Sequence, residues 1–201
     1  MSSPVFLSPA LISIAGILYA ASFLINSYVM SSFSFSLGVS WVFLPAGFRL
    51  LLTLLLDKNG SLGIAMASIA ISLGFYFEDP ILGIGAGVIS GLAPYIAKLL
   101  VFRDSDLKQD LSQLDAKQLL NCVFVFSIVS PLMHQAWYKL HNEDSPFFEG
   151  LGVMIIGDLI GTFIVIYLAK AVIFLYKKRI FNQKAWGIQS LNPVLSIDLM
   201  L

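Results

Sequence analysis

Six apolar runs, each closed by a short polar break, leave this 201-residue chain few folds to choose from. They cover residues 10–32, 37–56, 61–77, 81–102, 118–138 and 147–176. A helix needs about 20 mostly apolar residues, with a range of about 17–25, to cross a hydrocarbon core. In lipid every backbone polar group must be paired within the protein, so runs of this kind are read as α-helices. Composition agrees. The chain is 58% hydrophobic and 12% charged, whereas soluble domains carry about 25% charged residues. The expected fold is therefore all-α: a polytopic transmembrane bundle of about six spans over residues 1–176, followed by a short basic tail, 177–201.

The breaks are specific. Asp57-Lys58-Asn59-Gly60 reads as a tight polar turn, and Glu78-Asp79-Pro80 as another, because proline cannot continue a preceding helix without losing a hydrogen bond. Pro146 precedes the sixth run. Ser112 and Asp115 stand before the fifth in capping-box spacing. Leu107, Leu111 and Leu114 share one helical face in the polar segment 103–117, which is read as an interfacial helix or a docking face. With the N-terminus inside, the inner segments hold eight Lys and Arg and the outer loops one. This split follows the positive-inside rule and places both termini in the cytoplasm of a multi-pass membrane protein. No basic n-region precedes the first run and no lipidation ending is visible, so neither a cleaved signal nor a lipid anchor is expected.

Small residues let helices approach closely in lipid. Gly83, Gly87 and Gly91 form a double GxxxG in the fourth run, and Gly157 and Gly161 a single one in the sixth. They are read as packing positions within the chain, with homodimerisation as the alternative. Pro45, Pro94 and Pro131 fall inside runs two, four and five and are expected to kink them. Cys122, the sole cysteine, reads as a small buried hydrophobe.

Two charges sit where lipid makes them expensive. Arg49 lies about 10 Å from the inner end of its run, and Asp158 about 16 Å from the outer end of its own, near the midplane. An ionised Asp there costs at least about 2.5–3.5 kcal/mol on insertion scales. The two depths are similar, so an ion pair between runs two and six is one expectation. A ligand or proton site is a second, and no contact a third. Lys98 and Lys170 are read as snorkelling anchors. His134, His141, Glu143, Asp144 and Glu149 gather near the outer end of run five without any known metal-ligand spacing, so no metal site is assigned. No cofactor motif or nucleophile–base set is visible, and nothing points to nucleic acid. GIGAG at 83–87 is not a nucleotide loop, because neither a preceding strand nor a Gly-Lys-Ser accompanies it.

Two fragments carry a family resemblance. Trp41-x-x-Leu44-Pro45-Ala46-Gly47-x-Arg49 resembles the W-x-P-x-G element of MASE1-type bacterial membrane sensor domains. Gly157-Asp158-x-x-Gly161-Thr162 resembles the G-D-x-x-G element of the same group. The match covers about a quarter of the chain. It implies a bacterial inner-membrane module that senses a signal, with Pro45, Gly47, Asp158 and Gly161 as motif positions. Such sensors usually have about eight spans and a cytoplasmic output domain; here six are counted and about 25 residues follow the last. The expected function is a non-enzymatic module that binds or senses a small ligand and acts through a membrane or cytoplasmic partner. The alternative is a small transporter, or the substrate-binding subunit of an energy-coupling-factor type transporter.

Overall fold

Three helices begin on a proline, whose missing N–H belongs to a turn where amides have no helical partner anyway. Pro9 opens α1 (Pro9–Val29), Pro45 stands in the first turn of α2 (Leu44–Leu56), and Pro80 opens α4 (Pro80–Val101). The computed structural model describes residues 7–36, 39–102, 115–141 and 146–191. The other helices among them are α3 (Lys58–Ile71), α5 (Ala116–Leu140) and α6 (Phe147–Leu191). A π-helical turn, Ser72–Tyr76, continues α3. Two short antiparallel strands, β1 (Ser34–Ser36) and β2 (Val39–Ser40), lie between α1 and α2. Five helical segments are long and apolar enough to cross a bilayer: Pro9–Val29, Lys58–Tyr76, Pro80–Val101, Ala116–Leu140 and Phe147–Tyr176. The protein is an α-helical membrane protein.

The chain divides into two units, Met1–Val165 and Ile166–Leu201. In the second, the described residues continue α6 as far as Leu191, through the stretch read from sequence as a tail. In the first, sequence neighbours run antiparallel and the small residues are spent on packing. Gly83, Gly87 and Gly91 lie against Leu73, Ile69 and Ala65 in turn, so the double GxxxG faces α3 and its π turn in the same chain. The Ser61 hydroxyl donates to the Gly91 carbonyl at 2.8 Å, a contact that only such close approach allows. Gly16 and Gly63 bring α1 and α3 together in the same way.

Several expectations need correction. The second apolar run is not one helix: α2 has 13 residues, and the strands and a bent, non-helical stretch precede it. Pro45 therefore starts a helix rather than kinking one. The 57–60 break is a single residue. Asp57 adopts φ 52°, uncommon for a non-glycine residue, and Lys58 to Gly60 are already helical. Lys98 does not simply snorkel; it pairs with Asp57 at 2.6 Å and ties α4 to the α2–α3 joint. The capping box of α5 is Asp115 with Gln118. Ser112 and the leucines 107, 111 and 114 lie outside the described residues, as do Glu143 and Asp144. Cys122 is buried, as a small hydrophobe should be.

The α3–α4 contact generates a test. A Cβ at Gly87 would run into the Ile69 backbone, whereas one at Gly74 meets nothing within 4 Å. Gly87→Val is expected to destabilise by about 1–3 kcal/mol through overpacking, and Gly74→Ala by less than about 0.5 kcal/mol. Thermal unfolding in mild detergent reads both.

Candidate functional site

The site begins with backbone that is not helical. Residues 41–43 link β2 to α2 without forming helix, bending at Trp41 and Val42, which leaves amides without helical partners. Two of these amides, and the first of α2, are paired outside α2, one beside the hairpin and two by other helices. Trp41 N–H donates to the Phe33 carbonyl at 2.9 Å, and Phe43 N–H to the Gly157 carbonyl at 3.1 Å. Leu44 N–H, the first amide of α2, donates to the Asn26 side chain of α1 at 2.9 Å. Room for this backbone comes from glycine. A Cβ at Gly157 would strike the Ser40 carbonyl, one at Gly161 the Phe43 carbonyl, and one at Gly47 the Val165 side chain. The two fragments that carry the sequence resemblance thus lie against each other. Trp41 itself is largely exposed and sits edge-on to Phe35.

This register sets the level of Arg49. Gly47 meets Val165, seven residues or roughly 10 Å past Asp158 along α6. The Arg49 backbone lies farther still, so the two charges are not at one height. Helical side chains lean toward the N-terminus, and a long arginine closes much of the gap. Its Nη1 donates to Ser130 Oγ on α5 at 3.5 Å, and its guanidinium carbon lies 4.9 Å from the centre of the Phe43 ring. Arg49 is 3% exposed and Asp158 1%. Among the described residues the one ion pair within 4.0 Å is Lys98–Asp57. Arg49 and Asp158 meet instead at Ser130, whose hydroxyl also serves the Asp158 carboxylate. The depth estimate from sequence missed this offset because it assumed one continuous helix.

His134 lies one helical turn beyond Ser130 on α5. Its Nδ1 is 2.8 Å from the Ser130 carbonyl, which can only accept, so Nδ1 carries hydrogen. Nε2 faces Ser90 Oγ on α4 at 3.3 Å. That hydroxyl also reaches the Ala86 carbonyl at 3.0 Å. Its single proton cannot serve both acceptors, so a neutral imidazole leaves this edge one donor short. His134 therefore belongs to the bundle interior and not to an outer histidine patch. His141 stays at the helix end, where its Nδ1–H donates to the Trp137 carbonyl at 3.0 Å. No group of three His, Cys, Asp or Glu among the described residues is placed to hold a metal.

These groups border a cavity of about 40 Å³, space for roughly three waters. Arg49, His134, Ser90, Ser68 and Ser72 line it, with the rings of Tyr19, Tyr76, Tyr138, Phe23, Phe43 and Phe77. Ser72 and Tyr76 belong to the π turn, a feature often found at functional sites. Among the described residues, five buried polar atoms have no hydrogen-bond partner: Arg49 Nε, Asp158 Oδ2, and the hydroxyls of Thr53, Ser127 and Thr162. Buried helical hydroxyls ordinarily bond back to their own helix, so these are notable. Sequence reading overlooked the hydroxyls. The signal was there in Ser127, Ser130 and His134 on one face of α5, and Asp158 and Thr162 on one face of α6.

No protein-family model, curated protein or solved structure matches this chain.

Ser130 and Ser127 provide an internal comparison. Ser130→Ala removes the hydroxyl shared by Arg49 and Asp158 and is expected to cost about 1–3 kcal/mol, because two charged groups lose a partner. Ser127→Ala removes an unpartnered hydroxyl and is expected to change stability by less than about 0.5 kcal/mol or to stabilise. Thermal unfolding in sodium-free buffer separates them.

Proposed function

We propose that this protein is a non-enzymatic, multi-pass membrane module that binds a small anionic ligand, such as a carboxylate, in the cavity beside Arg49. The observation that carries the reading is the guanidinium itself. It is buried, has no direct carboxylate partner among the described residues, retains an unpartnered Nε, and belongs to a residue that lines a cavity with hydroxyls and aromatic rings. A planar guanidinium suits a carboxylate or phosphate, which it can bind with two parallel hydrogen bonds. Aromatic and hydroxyl walls would supply shape and further donors.

As a sensor, the module would sit in the inner membrane of a bacterium and pass ligand occupancy to a membrane or cytoplasmic partner protein. The adjacency of the Trp41–Arg49 and Gly157–Thr162 fragments supports treating them as one functional unit of MASE1-like type. Six crossings are inferred, with α2 and the non-helical residues before it acting together as the second. The eight-to-one split of Lys and Arg supports cytoplasmic termini.

A transporter subunit is the second reading. It is favoured by the unpartnered Asp158 Oδ2 within electrostatic reach of Arg49. Opposite charges that share a hydroxyl without closing on each other can exchange partners when a ligand arrives.

A thermal-shift screen of small carboxylates and phosphates on the detergent-purified protein tests the proposal. A binder is expected to raise Tm in the wild type by roughly 3–6 °C at ten times its Kd. The rise should fall to near zero in Arg49→Gln. Equal shifts in both proteins would remove Arg49 from the site.

A further inference from the structure

We propose that Ser127, Ser130, Asp158 and Thr162 form a site for sodium, a small hard monovalent cation, between α5 and α6. Helix register brings them together. The rings of Phe124 and Phe163 lie 6.4 Å apart, and Gln135 donates to the Met154 sulfur at 3.2 Å. These contacts make α5 and α6 antiparallel, with Ser130 and Asp158 meeting between them. Ser127 lies one turn from Ser130 in the same direction along the bundle as Thr162 lies from Asp158. The four side chains thus occupy two adjacent layers of one interface.

Their hydrogen bonding is incomplete. Asp158 Oδ2, Ser127 Oγ and Thr162 Oγ1 are all buried and all without partners. Their residues are at most 1% exposed. An unpartnered buried polar group is costly, and three at one interface call for something between them that satisfies oxygen. The proline in α5 offers a fourth oxygen. Pro131 has no N–H, so the Ser127 carbonyl loses its i+4 donor. Unwound or unpaired carbonyls beside a carboxylate are how helical membrane proteins bind sodium.

The chemistry of the set selects the ion. Every donor is oxygen, and no thiolate or imidazole belongs to it. Such a set suits a hard cation. It carries one carboxylate with Arg49 already nearby, so a monovalent ion adds less uncompensated positive charge in lipid than a divalent ion would. Arg49 competes for the same carboxylate through Ser130. Removing the Arg49 charge should therefore strengthen the cation site. This site does not depend on an anion binding at Arg49, and the variants used to test each fail separately if either idea is wrong.

The test is Tm of the full chain in detergent, with sodium, potassium and choline chlorides compared at one ionic strength and one pH. Sodium is expected to raise wild-type Tm by roughly 3–6 °C over choline at ten times its Kd, with potassium well below it. The sodium shift should vanish in Asp158→Asn and shrink in Ser127→Ala and Thr162→Val. Those two variants remove unpartnered hydroxyls and should fold as well as wild type in choline. In Arg49→Gln the sodium shift should grow. Equal Tm in all three salts, a sodium shift that survives Asp158→Asn, or full shifts in both hydroxyl variants would each overturn the site. If stability follows pH alone at every salt, Asp158 holds a proton rather than sodium, and the proposal also fails.

Discussion

The arrangement rests on one constraint: non-helical backbone packed among membrane helices must have its amides paired by protein. Trp41 and Phe43 meet it with the Phe33 and Gly157 carbonyls, and Asn26 takes the first amide of α2. Glycines at 47, 157 and 161 make the space. A single Cβ on this face would push the segment out and strand its polar groups. Once the segment is seated, α2 begins at Leu44, and Arg49 is delivered to Ser130 and the Phe43 ring. The position of the guanidinium is thus a consequence of glycine packing around the start of its helix.

The polar content of the bundle interior works against stability as usually built. Membrane proteins bury charges in pairs or spend them on function. Here the pair that would best neutralise Arg49 and Asp158 is held one hydroxyl short of contact. Three further buried hydroxyls have no partner at all. A purely structural bundle could replace Thr53, Ser127 and Thr162 with Val or Ala at no cost in packing. Interiors that keep local rules broken without compensation tend to do so at functional sites. The cavity beside Arg49 and the π turn at Ser72–Tyr76 point in the same direction.

Much of the architecture was legible in the chain. Apolar runs and their polar breaks gave five of the membrane helices within a few residues, because lipid allows little else. The GxxxG faces were legible as packing within the chain, since small-residue spacing encodes it directly. The second run was misread because hydropathy does not distinguish helical from non-helical backbone. Val39 to Phe43 are nearly as apolar as α2 itself, but Val39 and Ser40 pair in the hairpin, Trp41 bonds Phe33 and Phe43 bonds Gly157 of α6. The same limit hid the polar site. Serine and threonine score as mild residues wherever they fall, and only the register of α5 against α6 shows which ones face each other. Arg49 and Asp158 stood out because charge in a span is rare. That they meet at Ser130, and not at each other, follows from the break before α2.

Water access to the interior beside Arg49 separates a ligand site from a sealed structural cluster. Cys122 is the sole cysteine, so a Cys122→Ala background allows single cysteines to be placed and probed with a small, water-soluble methanethiosulfonate. Ser90→Cys lines the cavity, and Val88→Cys, two residues away, is exposed on the outer surface of the bundle. In membranes Ser90→Cys is expected to react readily, and a bound small anion to protect it. Val88→Cys should react far more slowly, because lipid covers it. A Ser90→Cys thiol as unreactive as Val88→Cys would show a closed, dry interior and contradict a ligand site there.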